Sequence, residues 1–539
     1  MLAATCALAL RLFTLTRPGY LTGITEYDDG VYLGAAIRMT EGAIPYRDFA
    51  FIQPPGIVLL MTPVALVAAL TTTVKALALA RVLTALASAA CVPLAGRLVR
   101  HHGPVATLVT CGVLAVYPDD VSTAHTLMLE PWMNLLCLLA VTAAFRDGRL
   151  KSARSLLWAG VLMGLAAAVK FWAVVPAAVL LAVCLPARDA RGRRTRRYVT
   201  GLAVGLAVPL APFALAAPVT LVRATITDQA VRAGTAVPID ARLAHLTGLI
   251  DVLDVQGHFN LNAGTTSLYA AGSSAPLDPG SSLAWLPYVV AAAMVMALLG
   301  GFLRRARALS SPLSPLDWFS AAAAALACAA VLSYSAFFYH YPDFPAPWLA
   351  LTAGGAAGAL ARAGTAGGSG GSPPLSRGRE LSTARRVTAS ITVALALVAA
   401  LQVREIYPMR QVTAQAIAHK IPRGSCVVTD EVSLTIAADR FTGYPSYCPV
   451  IVDSLAQTLV LSNGLSVQGG AASDPSVVAA WKSWLSRADY VWLTPGPGAG
   501  QGSARRIPWT QALLAWFYRS FTGVGSYSWG TGQLYVRNK

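Results

Sequence analysis

The sequence predicts an α-helical polytopic membrane protein with about eleven transmembrane helices and a small C-terminal α/β domain. Three observations carry this. Hydrophobic residues make up 55% of the 539 positions and charged residues only 12%, about half the charged share of a soluble domain. The basic excess, a formal net charge of +17, falls in short clusters between apolar runs. That is the pattern of cytoplasmic loops in a membrane protein, so nucleic acid is not expected as a partner. Residues 404–539, by contrast, mix strand-like and helical runs of ordinary polarity.

Taken in order, residues 1–15 are apolar but short for a span. With no basic segment before them and no clear cleavage site, they read as a first helix rather than a signal peptide; a start upstream of Met1 would lengthen it. A polar loop, 16–76, follows. Within it, 57–74 (IVLLMTPVALVAALTTTV) could cross, but the charges argue otherwise. A crossing there would put Arg97–His102, Arg146–Arg154, Arg188–Arg197 and Arg304–Arg307 outside. Laid along the surface and broken by Pro54, Pro55 and Pro63, it leaves all four inside, as the positive-inside rule asks. The remaining spans are 77–98, 104–117, 128–145, 155–169, 171–186, 199–217, 284–303, 317–335, 345–361 and 387–403. Residues 218–282 form a polar loop on the outer face. The stretch 362–386 is rich in Gly, Ser and basic residues and reads as a flexible cytoplasmic linker.

The membrane unit thus occupies 1–403. In the tail, CVVTD (426–430), YVWLT (490–494) and GQLYVR read as strands and 475–487 as a helix. No Gly-rich fingerprint follows a strand, so no nucleotide site is expected. Six cysteines lie in apolar runs and read as small core residues. Cys426 and Cys448 lie in the polar tail and form a plausible disulfide if that region is outside the cytosol.

The chemistry-bearing residues gather on the outer face of this topology. Thr25–Gly56 holds five of the 25 acidic residues, among them Glu26, Asp28 and Asp29. The loop 117–132 holds Asp119, Asp120, His125 and Glu130. Glu130, before Pro131 at the start of a span, could equally act as a helix N-terminal acid. Lys170 sits between two apolar segments, where a charge costs about 2.5–3.5 kcal/mol. It could snorkel to the interface or bind an anionic lipid phosphate. The aromatic turn 335–347 carries His340, Tyr341 and Asp343. Arg81 offers a guanidinium fork to a phosphate. Metal-ligand His/Cys spacings, a Gly-x-Ser-x-Gly elbow and a Walker-type loop are absent. Carboxylates, with cations for phosphate, are the chemistry left. Glu41 and Asp48 read as solvated or structural.

These motifs resemble the GT-C superfamily of membrane glycosyltransferases. Asp28-Asp29-x-x-Tyr32, then Gly42, Pro45-Tyr46 and Pro54-Pro55, follow its first-loop pattern. Glu130-Pro131, Arg81 and Gly164–Lys170 match later landmarks. The closest types are the protein O-mannosyltransferases and the lipid A aminoarabinose transferase, with actinobacterial relatives. Asp29 stands where Glu is commoner. The resemblance covers the spans to about residue 361 and the tail only in general position. It implies a bacterial plasma-membrane enzyme with its site and C-terminal domain outside the cytoplasm. Such an enzyme moves a sugar, with inversion, from a polyprenyl-phosphate sugar to a cell-envelope glycan, lipid or protein acceptor. Asp28 would be the general base, with Asp29 and Glu130 orienting hydroxyls. Lys170 and Arg81 would face the lipid phosphate, and Tyr32, His340 and Tyr341 would complete the pocket. No cofactor is required, although the acids could hold a divalent cation. A competing class is a lipid or sugar transporter or flippase, since ionisable groups within the membrane also mark transporters. Against it, no inverted repeat is visible. A third is a non-catalytic scaffold binding cell-wall material.

Overall fold

The computed structural model describes residues 2–185, 192–230, 237–248, 285–308, 313–366, 375–494, 496–497, 503–524 and 532–538. Each of the eleven expected spans lies on a helix. Among the described residues, four helical stretches, Thr73–His102, Arg193–Ala216, Pro315–Ser333 and Thr388–Ile406, are long and apolar enough to cross a membrane, and eight apolar helices are shorter.

The first loop is more ordered than expected. It carries two helices, α2 (Tyr27–Thr40) and α3 (Gly56–Leu70), after α1 (Leu2–Leu15). Glu26 is the N-cap of α2: its carboxylate accepts from Tyr27 N at 3.0 Å. Asp28 and Asp29 in the first turn suit the positive end of the helix dipole. α2 stops before Gly42, whose φ of +96° favours glycine. The surface element expected at 57–74 is α3, and it is not broken at Pro63. Ile57, Val58 and Met61 are buried, and that packing against α2 and the following helices offsets the lost backbone bond. At about 22 Å, α3 is too short for a hydrocarbon core of about 30 Å.

The bundle continues with α4 (Thr73–Val99), α5 (Pro104–Val116), α6 (Pro118–Thr123) and α7 (Leu129–Ala144). After α8 (Ala153–Val169) come α9 (Val174–Cys184) and α10 (Arg193–Ala216). α8 and α10 pack by glycine. A Cβ on Gly160 would lie 2.2 Å from Tyr198 O, and one on Gly205 would lie 2.1 Å from Val161 O. Gly160-x3-Gly164 and Gly201-x3-Gly205 thus bring the two backbones together.

The expected loop 218–282 lies outside the described residues at 231–236 and 249–282; the helix Ile239–Thr247 occupies part of the rest. The linker expected at 362–386 is invaded from both sides, by helices Ala346–Ala366 and Leu375–Ile406. Its RELSTARR portion is composed largely of helix formers, and 367–374 lie outside the described residues, as do 186–191 of the basic run.

The tail holds a four-stranded mixed sheet in the order 427–429, 490–493, 533–537, 521–523. The first pair is parallel and the others antiparallel. The strand at 521–523 was not foreseen. Cys426 and Cys448 are joined by a disulfide. One side of the sheet has its own core around Trp481, Val491 and Phe517. The other side shares the main core: Val432, Leu434, Phe441 and Trp492 cluster with residues of the helices. The tail is therefore docked on the bundle. Gly30 of α2 is the contact point, where a Cβ would lie 2.1 Å from Ser433 N.

Candidate active site

α2 splits the adjacent pair Asp28 and Asp29. Consecutive helical residues point about 100° apart, so the two carboxylates serve different surroundings. Asp29 turns into the bundle and is fully buried with Arg81, both at 0% exposure. Arg81 Nη2 donates to Asp29 Oδ2 at 2.5 Å and Arg81 Nε at 3.2 Å. Thr25 Oγ1 donates to the same oxygen at 2.8 Å and Leu127 N to Asp29 Oδ1 at 2.5 Å. Arg81 also holds Tyr20 O at 2.8 Å. Arg81 was expected to meet a lipid phosphate; instead its donors are spent on internal partners, because a buried guanidinium must find them. Asp29, expected beside Asp28 in the chemistry, is likewise saturated. The pair pins α2 to α4 and to the loop after α6.

Asp28 is only half-buried. Tyr32, one turn on, hydrogen-bonds its side chain, and His340, Glu130 and Lys170 act on it electrostatically. Burial raises its carboxyl above the ordinary carboxylate range; the Glu130 charge adds to this, while His340, Lys170 and the Tyr32 bond oppose it.

Glu130, Lys170 and His340 form one cluster. Lys170 Nζ and His340 Nδ1, the latter at 2.7 Å, both donate to Glu130 Oε1. Glu130 Oε2 is buried without a hydrogen-bond partner. The Lys170 ammonium also lies over the rings of Tyr341, 4.7 Å from its centroid, and Trp172, at 5.0 Å. Cation–π contact and an ion pair hold the charge there, so Lys170 stays inside instead of snorkelling. It reaches this place because α8 ends at Val169 and a short 3₁₀ turn, Phe171–Ala173, follows.

The rest of the acidic loop is structural. Asp120 pairs with Arg11 at 2.9 Å, and His245 lies 3.6 Å from Asp119. His125 packs edge-on against Tyr20; burial and nearby Arg81 push it down to about 4, so it is neutral. Asp343 accepts from Thr123 at 2.7 Å and Asn134 at 3.2 Å. Glu41 pairs with Arg38, and Asp48 with Arg47. Among the described residues, no three His, Cys, Asp or Glu side chains group as metal ligands.

The sheet-bearing tail also reaches the site. The Tyr27 hydroxyl donates to Asp453 Oδ1 at 2.7 Å. The Arg506 guanidinium lies 3.9 Å from the Tyr27 ring centroid and donates to Glu431 Oε2 at 3.1 Å. Across the gap, Tyr339 donates to Glu26 Oε2 at 2.8 Å. Burial, then the Asp28 charge, pushes Glu26 up to about 8, with Glu431 and Asp29 adding to it. The partnerships of Tyr27, Tyr339, Glu431, Asp453 and Arg506 were not foreseen: Tyr27 and Tyr339 lie in stretches the sequence singled out, but their partners are hundreds of positions away, and no local motif marks Glu431, Asp453 or Arg506.

The bundle, its long first loop and the docked tail can be set beside solved structures. ArnT from Cupriavidus metallidurans bound to undecaprenyl phosphate matches over 99% of this chain and 97% of its own. The identity is 14% and the TM-score 0.57. The apo state of the same protein matches with equal coverage at 16% identity and a TM-score of 0.53. The chain therefore shares the fold of that ArnT. No family model matches the chain, and no curated protein matches it. The likeness runs through the tail as well as the helices, beyond the residue-361 limit at which the sequence motifs end.

Proposed function

We propose that the protein is an inverting glycosyltransferase. It takes a sugar from a polyprenyl-phosphate donor and passes it to a hydroxyl of a cell-envelope acceptor on the outer face of the membrane. The observation that carries this reading is the placement of half-buried Asp28 beside the Glu130–Lys170–His340 cluster. A base and a fixed cation then lie within electrostatic reach of each other. ArnT, whose fold the chain shares, is bound to undecaprenyl phosphate, which supports a polyprenyl-phosphate donor. The basic clusters at the opposite helix ends support the outward orientation.

The reaction is a single displacement. The acceptor oxygen attacks the anomeric carbon while its proton passes to Asp28. The bond from that carbon to the phosphate oxygen breaks, and the electron pair leaves with the polyprenyl phosphate. Attack from the face opposite the leaving group inverts the centre. Lys170 keeps two ammonium donors beyond the one given to Glu130 and offsets the charge that grows on the leaving phosphate. Glu130 holds Lys170, His340 holds Glu130, the two orient the sugar, and Tyr32 fixes the Asp28 rotamer. Asp29 and Arg81 act at one remove, by positioning α2.

The test is transfer of labelled sugar from a polyprenyl-phosphate donor by the purified protein, with and without added divalent cation. Asp28→Asn should lower the rate by 10²–10⁴-fold, the usual range for a general base, with donor binding retained. Full transfer by Asp28→Asn would remove the base assignment. Lipid movement across vesicles without any transfer would favour a flippase.

A further inference from the structure

The opposite end of the bundle carries a second polar feature that this reaction does not use. α4 runs from Arg81, beside Asp29, to Arg97, about 24 Å further along the axis. α7 likewise has Glu130 at one end and Thr142 near the other. Between these far ends lies a cavity of about 270 Å³. Arg97, Arg100, Arg146 and Lys151 line it, with Asp147 as the acid among its lining residues. Asp147 lies on the outskirts of its neighbours, 3.9 Å from Arg100 and 3.8 Å from Arg146. Four cations thus face one carboxylate.

Three further facts point to a ligand. Thr142 lines the same cavity, and its hydroxyl oxygen is buried without a hydrogen-bond partner. Lys151 Nζ donates to Thr142 O at 2.7 Å, which aims the ammonium inward. Burial, together with Arg97 and Arg146, pushes Lys151 below its ordinary value, as happens when like charges converge without an anion between them. Leu98 and Phe145 complete the wall and supply an apolar side. Arg97, Arg100 and Arg146 are exposed at the rim; with Lys151 they line one cavity from the end of α4, the 3₁₀ turn after it and the hairpin that joins α7 to α8. At the level where a helix bundle leaves the hydrocarbon, such a basic pocket matches a lipid headgroup.

We infer that this cavity binds the phosphodiester headgroup of an anionic phospholipid, held by Arg97, Arg100, Arg146 and Lys151 at the end of the bundle away from Asp28. The test is native mass spectrometry of the delipidated full chain, titrated in turn with phosphatidylglycerol, cardiolipin, phosphatidylethanolamine and inorganic phosphate. The anionic lipids should be retained over phosphatidylethanolamine. The triple change Arg97→Gln, Arg146→Gln, Lys151→Gln should weaken their binding by on the order of a hundredfold. Asp147→Asn should strengthen it by about fivefold; this turn position, at φ +49°, accepts Asn readily, so the opposite-signed result does not depend on a damaged fold. Equal retention of the zwitterionic lipid, or unchanged binding in both variants, overturns the assignment. Inorganic phosphate that binds alone and blocks the lipid at equal concentration would make this a free-anion site and also overturn it.

Discussion

At the scale of single residues, the central finding is the division of labour between Asp28 and Asp29. The two were legible in the sequence as an acidic pair at an important place. Their separation follows from helical geometry once α2 is known to begin at Tyr27. Arg81 as the partner of Asp29 was not legible, because 52 positions separate them and only packing joins them. Removing Arg81 leaves a buried carboxylate unpaired. Arg81→Met should therefore cost about 3–5 kcal/mol, read as a fall in the thermal midpoint, and adding Asp29→Asn should recover part of it. Glu26 makes a prediction about pH. Its folded value of about 8 exceeds its ordinary value of 4.5, so the folded state keeps a proton that the unfolded chain releases. The contribution is fully present below about pH 4.5 and is lost as pH rises through about 8. The thermal midpoint should decline across that window, and Glu26→Gln should flatten the decline.

At the scale of elements, hydropathy located the apolar helices because burial in lipid leaves a long apolar signature. It misjudged α3, where proline rules suggested a break that tertiary packing overrode. It could not reveal the neighbours of each helix. The α8–α10 contact was written in the spacing of four glycines, a pattern that means close approach only when two helices carry it on facing sides. A side chain there has nowhere to go: a Cβ on Gly164 would lie 2.4 Å from Leu202 O. Gly164→Leu should destabilise the bundle by at least the 1–3 kcal/mol typical of overpacking, measured by thermal unfolding in detergent. Because α8 delivers Lys170, the same variant should also lose transfer activity.

At the scale of the molecule, the tail behaves as part of the bundle. Strand-like runs made its α/β character legible, but nothing local announced that Tyr27 would meet Asp453 and Arg506, since each is an ordinary surface-type residue until docking buries it. Opening the Cys426–Cys448 disulfide with Cys426→Ser and Cys448→Ser should cost about 2–4 kcal/mol, visible as a lower thermal midpoint that reductant no longer changes. Arg506→Gln should loosen the grip on Tyr27. Donor turnover should then fall while the unfolding midpoint of the helical bundle moves little.

That grip sets a schedule for making the protein. Asp28 is translated hundreds of residues before Asp453 and Arg506. At about 5–20 residues per second, the ribosome needs on the order of half a minute or more to supply the second half of the clasp. Until then, the helix that carries Asp28 has no partner for its Tyr27. A nascent chain, or one cut short before Asp453, would insert its helices but present an unfinished site, so activity would begin only after Arg506 is made and docked.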